Sequence, residues 1–156
     1  MKFTKLSGAT TWVSLGVAMM ISGGCLSTHP GSSSLAYVVV EGASLDGIRE
    51  VATRVFGDEF YEIKSNRPEG IVFEREATQR DRVLWGRYQE KDLRMRVVVA
   101  FEPLANGGIL VRADAYILPG GAFNREEKIV RMGRRPYQDL LNRVKASVVI
   151  SRSGSR

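Results

Sequence analysis

Alternation of apolar and polar residues in the C-terminal half of the chain predicts a β-hairpin. Every second residue is apolar across 93–102, and the same is true across 109–118. A period of two places one face of a strand in the core and leaves the other partly wet. Asn106, Gly107 and Gly108 separate the two runs and are typical turn residues. The pattern therefore predicts two antiparallel strands joined by a short turn.

Apolar residues spaced by three and four predict two helices. The first follows Ser44, a plausible N-cap, and ends near Gly57. Its apolar face consists of Leu45, Ile48, Val51, Ala52, Val55 and Phe56. The second begins, or is kinked, at Pro136, since proline suits a first helical turn and breaks a helix interior. Its apolar face consists of Tyr137, Leu140, Leu141, Val144 and Val148. A further helical region, capped by Asn124, is expected over 125–134.

Shorter β-rich runs complete the predicted order of elements. Strands are expected at 35–41, 60–64, 71–77 and 83–89, with a turn at 67–70 and a loop at 78–82. The order β-α-β-β-β-β-β-α predicts an α+β fold. We expect a two-layer sandwich with an antiparallel sheet of about 5–6 strands and two helices. This domain is expected to span 35–150, followed by a polar tail at 151–156.

The first 25 residues have the pattern of a targeting segment. Lys2 and Lys5 form a positive start, and a predominantly apolar run of ten residues follows, Trp12–Ile21. Ten residues are too few for a membrane-spanning helix, which needs about 20, but they suit a secretory signal. Small residues then lead to Cys25, the only cysteine.

The stretch Ile21–Cys25 resembles the lipobox of bacterial lipoproteins, with Ser22 where leucine is commonest. The resemblance implies that Cys25 receives a diacylglyceryl group, that residues 1–24 are removed, and that the new amino terminus is acylated. Leu26, rather than aspartate, favours the outer membrane. The alternatives are a plain secretory signal with an incidental cysteine and an uncleaved anchor.

Residues 25–34 are expected to comprise the lipidated cysteine and a flexible tether. The nine residues after Cys25 are mostly Ser, Thr, Pro and Gly, and they span roughly 15–18 Å as a random coil. His29, the only histidine, lies in this tether. The domain is therefore expected in the bacterial envelope, close to a bilayer and facing the periplasm.

Composition and charge exclude several classes of function. One Cys and one His permit neither an internal disulfide nor the usual zinc site. The domain also lacks a histidine for a Ser-His-Asp or Cys-His apparatus. The net charge of +6 falls to +2 for 35–150, because four of the 23 basic residues lie outside it and leave 19 against 17 acidic residues. We therefore expect no nucleic-acid partner, no metal and no cofactor.

The polar sides of the predicted hairpin carry the candidate ligand-binding residues Arg94, Arg96 and Arg112. Guanidinium groups suit phosphate and carboxylate, so this face could bind an anionic lipid or glycan. Arg75 and Arg87 are expected to belong to the same cationic surface, with aromatic contacts from Trp85, Tyr88 and Tyr116. A cross-strand charge ladder is the alternative interpretation of the same pattern.

Two carboxylates on this face, Glu102 and Asp114, could in principle form a glycoside-hydrolysing pair. A charge ladder again explains them without chemistry. The leading hypothesis is a lipid-anchored, non-catalytic domain that binds or scaffolds envelope proteins. The alternative is a binding module for an anionic lipid or glycan. A carboxylate-dependent cell-wall hydrolase ranks third, and no enzymatic activity is expected.

Overall fold

The computed structural model describes residues 34–85, 91–120, 127–129 and 133–153. Its elements, in chain order, are β1 (Ala36–Val40), α1 (Leu45–Gly57), β2 (Glu62–Arg67), β3 (Gly70–Glu76), α2 (Gln79–Leu84), β4 (Arg94–Pro103), β5 (Ile109–Leu118), β6 (Glu127–Lys128) and α3 (Arg134–Ser153). One antiparallel sheet with helices on it confirms the predicted α+β class.

The sheet has the strand order β1-β5-β4-β3-β2, so β2 to β5 form a meander and β1 joins at its end. β1 pairs with the first half of β5, from Val40 opposite Ile109 to Ala36 opposite Ala113. The two-residue β6 pairs further along β5, with Lys128 opposite Tyr116. Because β4 pairs with β5 over its whole length, β1 and β6 share the other side of β5.

The core lies between one face of the sheet and the two long helices. Both predicted apolar helix faces are buried, apart from the half-buried Leu45. The sheet contributes the predicted inward residues of the hairpin, including Met95, Val97 and Val111, which are fully buried. Burying a large apolar side chain contributes about 1.5–3 kcal/mol, so these contacts dominate the stability of the fold.

Helix α1 begins as the sequence predicts and ends in an unusual turn. The backbone N–H of Gly47 donates to Ser44 Oγ at 3.1 Å, as expected for an N-cap. The helix ends at Gly57, but the residue with left-handed backbone is Phe60, with φ of 64°. Its side chain is 86% exposed. This turn directs the next residue, Tyr61, back into the protein.

The turn at 67–70 is confirmed, although Gly70 is required there for a reason other than positive φ. Strand β2 ends at Arg67 and β3 begins at Gly70. A Cβ at Gly70 would lie 2.5 Å from the carbonyl oxygen of Val99 on β4. Glycine is therefore needed because the neighbouring strand approaches closely.

The prediction of a loop at 78–82 followed by a strand at 83–89 is wrong over the residues that the structure describes. Residues 79–84 form α2, and 86–90 lie outside the described residues. A capping box starts this helix: Thr78 Oγ1 accepts the N–H of Asp81, and Asp81 accepts the N–H of Thr78. No strand lies between β3 and β4 in the sheet, because these two strands pair directly.

The helical region expected over 125–134 is also wrong where the structure describes it. Residues 127 and 128 form β6, and the N–H of Ile129 donates to the carbonyl of Ala115. Asn124 lies outside the described residues. Helix α3 begins at Arg134, two residues before Pro136, and continues through Ser153, so the first part of the expected tail is helical.

Helix α3 also covers the free edge of β1. The side chain of Gln138 accepts the N–H of Tyr37 at 3.3 Å and donates to its carbonyl at 2.9 Å. These bonds occupy backbone groups that an added strand would use. Within the described part of the chain, no helix is long and apolar enough to cross a membrane.

Candidate functional site

The face of the sheet opposite the helices, called here the open face, carries the three predicted arginines. Arg94 and Arg96 alternate along β4, and Arg112 lies on β5 opposite Ala100. Their side chains are about one-third exposed. The alternation of the sequence therefore placed them on the correct side of the sheet.

Glu74 neutralises the two arginines of β4. Its carboxylate accepts from Arg96 Nε at 2.7 Å and lies 2.6 Å from Arg96 Nη2. It also lies 3.7 Å from a terminal nitrogen of Arg94. The Glu74 side chain is only 7% exposed, so this is the most buried carboxylate of the open face. The sheet holds it there because β3 pairs with β4 in a register that sets Glu74 opposite Arg96.

Arg112 has its own acid partner, Glu102, at 3.0 Å. An anionic ligand on the open face would therefore compete with a carboxylate at each of the three arginines. The Nε atoms of Arg94 and Arg112 are buried and lack an acceptor among the described residues. Ligand binding through these arginines stays a prediction. The arginines and their acid partners themselves have the arrangement of a cross-strand charge ladder.

The two candidate carboxylates of the open face are not brought together. Glu102 stands opposite Leu110, whereas Asp114 stands opposite Val98. Four residues of β5 separate these positions, or about 14 Å at ~3.4 Å per residue. Glycosidase carboxyl groups lie about 5–9.5 Å apart. Asp114 is also engaged in the fold, since it accepts the N–H of Leu35 at 3.0 Å.

The other residues expected near the open face are not all on it. Tyr116 is on the open face, opposite Arg96. Arg75 is on the opposite side, because it pairs with Met95 of the core-facing row. Trp85 packs against the core at the end of α2. Arg87 and Tyr88 lie outside the described residues.

The misplaced residues Arg75 and Trp85 belong to a different feature, called here the α2–α3 cleft. It has a volume of about 860 Å³, within the usual range for small-molecule sites. It is lined by Glu59, Tyr61, Arg75, Arg80, Asp81, Leu84, Trp85, Gly133, Arg135, Pro136, Tyr137, Asp139, Leu140 and Arg143. The ends of α1, β3, α2 and α3 therefore meet around one cavity.

A network of polar side chains forms the floor of the cleft. Arg75 pairs with Asp81 at 2.9 Å, and both side chains are less than one-fifth exposed. The guanidinium also lies 5.0 Å from the centre of the Tyr61 ring. The side chains of Tyr61 and Tyr137 are both buried and interact electrostatically with each other. The network joins β3, α2, α3 and the turn after α1, so it fixes the shape of the cavity.

Burial governs the titration of the floor. Desolvation raises the pKa of Tyr61, against the opposing effect of the Arg75 charge. Desolvation also raises the pKa of Tyr137 well above its usual range, and the nearby Tyr61 and Asp81 add to it. For Arg75, burial favours the neutral form, but Tyr61 and Asp81 outweigh it and raise its pKa. The tyrosines therefore stay protonated and Arg75 stays charged at neutral pH.

The rim of the cleft is less completely neutralised than its floor. Arg143 pairs with Glu59, and Asp58 lies 3.9 Å from the same guanidinium. Within the part of the chain that the structure describes, Arg80 and Arg135 have no ion pair. Among the described residues, four arginines and three acids line the cleft, a net charge of +1.

Sequence reasoning did not find this cleft, although two signals were present. Arg75 follows Ile71 and Phe73 on the apolar side of its strand, where a charge needs a partner. Thr78 and Asp81 have the spacing of a capping box, which predicts a helix rather than a loop. Neither signal reveals that the start of α3, about 55 residues later, closes the cavity.

The described residues contain no group of three or more His, Cys, Asp or Glu side chains placed to hold a metal ion. Cys25 and His29 lie outside this part of the chain.

Comparison with known proteins identifies no family for the chain. No family model matches it, and no curated protein sequence does. Among solved structures it is similar to a crystal structure of the adenylate sensor from AMP-activated protein kinase, in complex with 5-aminoimidazole-4-carboxamide 1-beta-D-ribofuranotide. The two are 13% identical, and the similarity covers 72% of this chain and 94% of the other, with a TM-score of 0.42. That similarity is too weak to carry an argument about fold or function.

Proposed function

We propose that this protein is a lipid-anchored lipoprotein of the bacterial envelope whose α+β domain binds or scaffolds other molecules without catalysing a reaction. The observation that carries the proposal is the lipobox-like stretch Ile21–Cys25, which lies at the C-terminal end of the predominantly apolar run Trp12–Ile21. A diacylglyceryl group with a further acyl chain would hold the protein firmly, since one chain alone gives only marginal membrane binding.

The start of the folded domain supports a position close to the membrane. Leu35 is already buried, and its N–H donates to Asp114 on β5. Only nine residues separate Leu35 from Cys25, and they span roughly 15–18 Å as a coil. The domain would therefore stay close to the bilayer, facing the periplasm if the membrane is the outer one.

The chemistry of the domain supports binding over catalysis. The only histidine, His29, precedes the folded segment. Glu102 and Asp114 occupy strand positions offset by about 14 Å, an arrangement that does not favour a glycosidase pair. Arginine-rich surfaces with acids nearby favour contacts with anionic envelope components or with partner proteins.

The anchor is tested by changing Cys25→Ser in a Gram-negative host grown with labelled palmitate. We expect loss of the label, retention of residues 1–24 and a mass without acyl groups, because serine lacks the thiol that is alkylated. Ser27→Ala, two residues further on, is the matched control and should be processed normally. A Cys25→Ser protein with the wild-type mature mass, or with unchanged label, would refute the anchor.

A further inference from the structure

We propose that the α2–α3 cleft binds an amphipathic anion, meaning a phosphate or carboxylate group attached to an apolar body. This inference deepens the binding role proposed above by naming the site and the class of ligand. It depends on that role and does not depend on the lipid at Cys25.

The walls of the cleft are suited to an apolar body. Leu84 is 60% exposed and Trp85 is half-buried, and both line the cavity together with Pro136. Removing exposed apolar surface from water lowers the free energy, so a ligand that covers this surface is favoured. These side chains therefore favour a ligand with a chain or ring over a bare ion.

The rim of the cleft favours a negative group on that ligand. Arg80 comes from α2 and Arg135 from α3, and neither forms an ion pair among the residues described. The acids that also line the cavity are Glu59, Asp81 and Asp139. Glu59 faces Arg143, and Asp81 faces Arg75, which leaves Asp139 against two guanidinium groups. The rim thus keeps an excess of positive charge where a ligand would enter.

The position of Arg135 strengthens this preference. The first turn of α3 contains Arg134 and Arg135 and no acidic residue. Positive side chains at a helix N-terminus oppose the helix dipole, which is favourable for anions. The Arg134 guanidinium is engaged outside the cleft, because it lies over the ring of Tyr37 and donates a hydrogen bond to Gln138. Arg135 keeps its charge at the cavity, where an anion would offset both effects.

The floor of the cleft determines how the ligand would lie. Arg75 is already neutralised by Asp81 at 2.9 Å. The buried Tyr61 and Tyr137 are uncharged at neutral pH, since desolvation raises the pKa of both. The charged groups of the floor are therefore already neutralised without a ligand. The anionic group should lie at the rim, between Arg80 and Arg135, with the apolar body against Leu84 and Trp85.

Trp85 allows a direct test, because the chain has only one other tryptophan, Trp12. The full chain with Trp12→Phe, in nanodiscs of zwitterionic lipid, would be titrated with octyl phosphate. We expect a saturable change in Trp85 emission. The double variant Arg80→Gln, Arg135→Gln should raise the dissociation constant about tenfold or more, since hydrogen bonds to charged groups are the strong ones.

The matched control is Arg54→Gln, which removes an exposed arginine paired with Glu50 on α1, and its dissociation constant should stay within about twofold of the parent. Leu84→Ser tests the wall separately and should weaken binding while the charges remain. Arg80, Arg135 and Leu84 are exposed, so far-UV circular dichroism should be unchanged in all variants.

Several results would overturn the inference. These are the absence of a saturable signal, equal affinity of the double variant, and binding of uncharged octanol as tight as that of octyl phosphate. Inorganic phosphate binding as tightly as octyl phosphate would also overturn it, because the apolar wall would then contribute nothing. Unchanged palmitate label in the Cys25→Ser protein would refute the anchor alone, so the two failures are distinguishable.

Discussion

The open face and the α2–α3 cleft each gather arginines, but only the open face neutralises each of its arginines with an acid in the described structure. On the open face, Glu74 forms ion pairs with Arg94 and Arg96, and Glu102 forms an ion pair with Arg112. In the cleft, Arg75 and Arg143 have acid partners, whereas Arg80 and Arg135 have none in the described part of the chain. Counting arginines would not separate the two regions.

The difference follows from how each region is built. In a sheet, register sets side chains of neighbouring strands opposite each other, so an acid on one strand meets an arginine on the next. The cleft forms where the ends of several elements meet, and no register matches their charges. A surface made by strand pairing is therefore prone to be self-neutralised, and a cavity between element ends is the better candidate for a ligand.

The largest expected effect tests the neutralisation of the open face. Glu74→Gln should reduce the free energy of unfolding by about 2–3 kcal/mol, because the guanidinium of Arg96 loses a buried acid partner. Urea denaturation followed by circular dichroism would measure it. The matched change Glu102→Gln, at a carboxylate that is 52% exposed, should cost less than about 1 kcal/mol. Equal losses would mean that burial of the acid does not distinguish the two pairs.

The next effect concerns the floor of the cleft. Asp81→Asn should cost about 2 kcal/mol, because it leaves the largely buried Arg75 without its acid. Thr78→Ala removes the N-cap of α2 but keeps the Arg75–Asp81 pair, and should cost about 1 kcal/mol. Urea denaturation of both variants gives the comparison. A larger loss for Thr78→Ala would show that Asp81 acts mainly in capping.

The smallest effect is a dependence of stability on alkaline pH. The pKa of Tyr137 and of Tyr61 is raised above 10.0 in the folded protein, chiefly by burial. The folded state thus holds these protons more tightly than the unfolded state. The resulting stability is present below about pH 10 and is lost as pH rises towards the folded pKa, by about 1 kcal/mol per pH unit for each tyrosine.

Tyr137→Phe should reduce this alkaline loss by removing one of the two groups. Unfolding free energies of the variant and the wild type, measured at pH 8, 10 and 11, would show it as a shallower slope above pH 10. An unchanged slope would indicate that Tyr137 ionises as readily in the folded protein as in the unfolded one.

Elements with a long, regular pattern were predictable from the sequence. The twelve-residue amphipathic run after Ser44 became α1. The two alternating runs became β4 and β5, and every strand end agrees with the prediction to within one residue. In each case the local pattern and the tertiary burial agree, because the apolar period matches the geometry of the element. The open-face positions of Arg94, Arg96 and Arg112 followed from the same alternation.

Short elements were not predictable in this way. Val83 and Leu84 suggested a strand, yet they end α2 and remain exposed. The capping box at Thr78 and the ion pair between Asp81 and Arg75 stabilise that helix, and the second of these depends on the fold. Likewise, Glu127–Lys128 became a strand because β1 leaves the end of β5 open for pairing.

Local patterns in the chain were enough to predict the α+β class, the two long helices and the central hairpin, and to reveal the signal-like start with Cys25, because these depend on periodicity and local chemistry. Tertiary structure decided which charges meet. Strand register gave Arg96 a buried acid, and the meeting of α2 with α3 left Arg80 and Arg135 beside an apolar wall. Such neighbours are set by contacts between residues far apart in the chain, and a local pattern does not encode them.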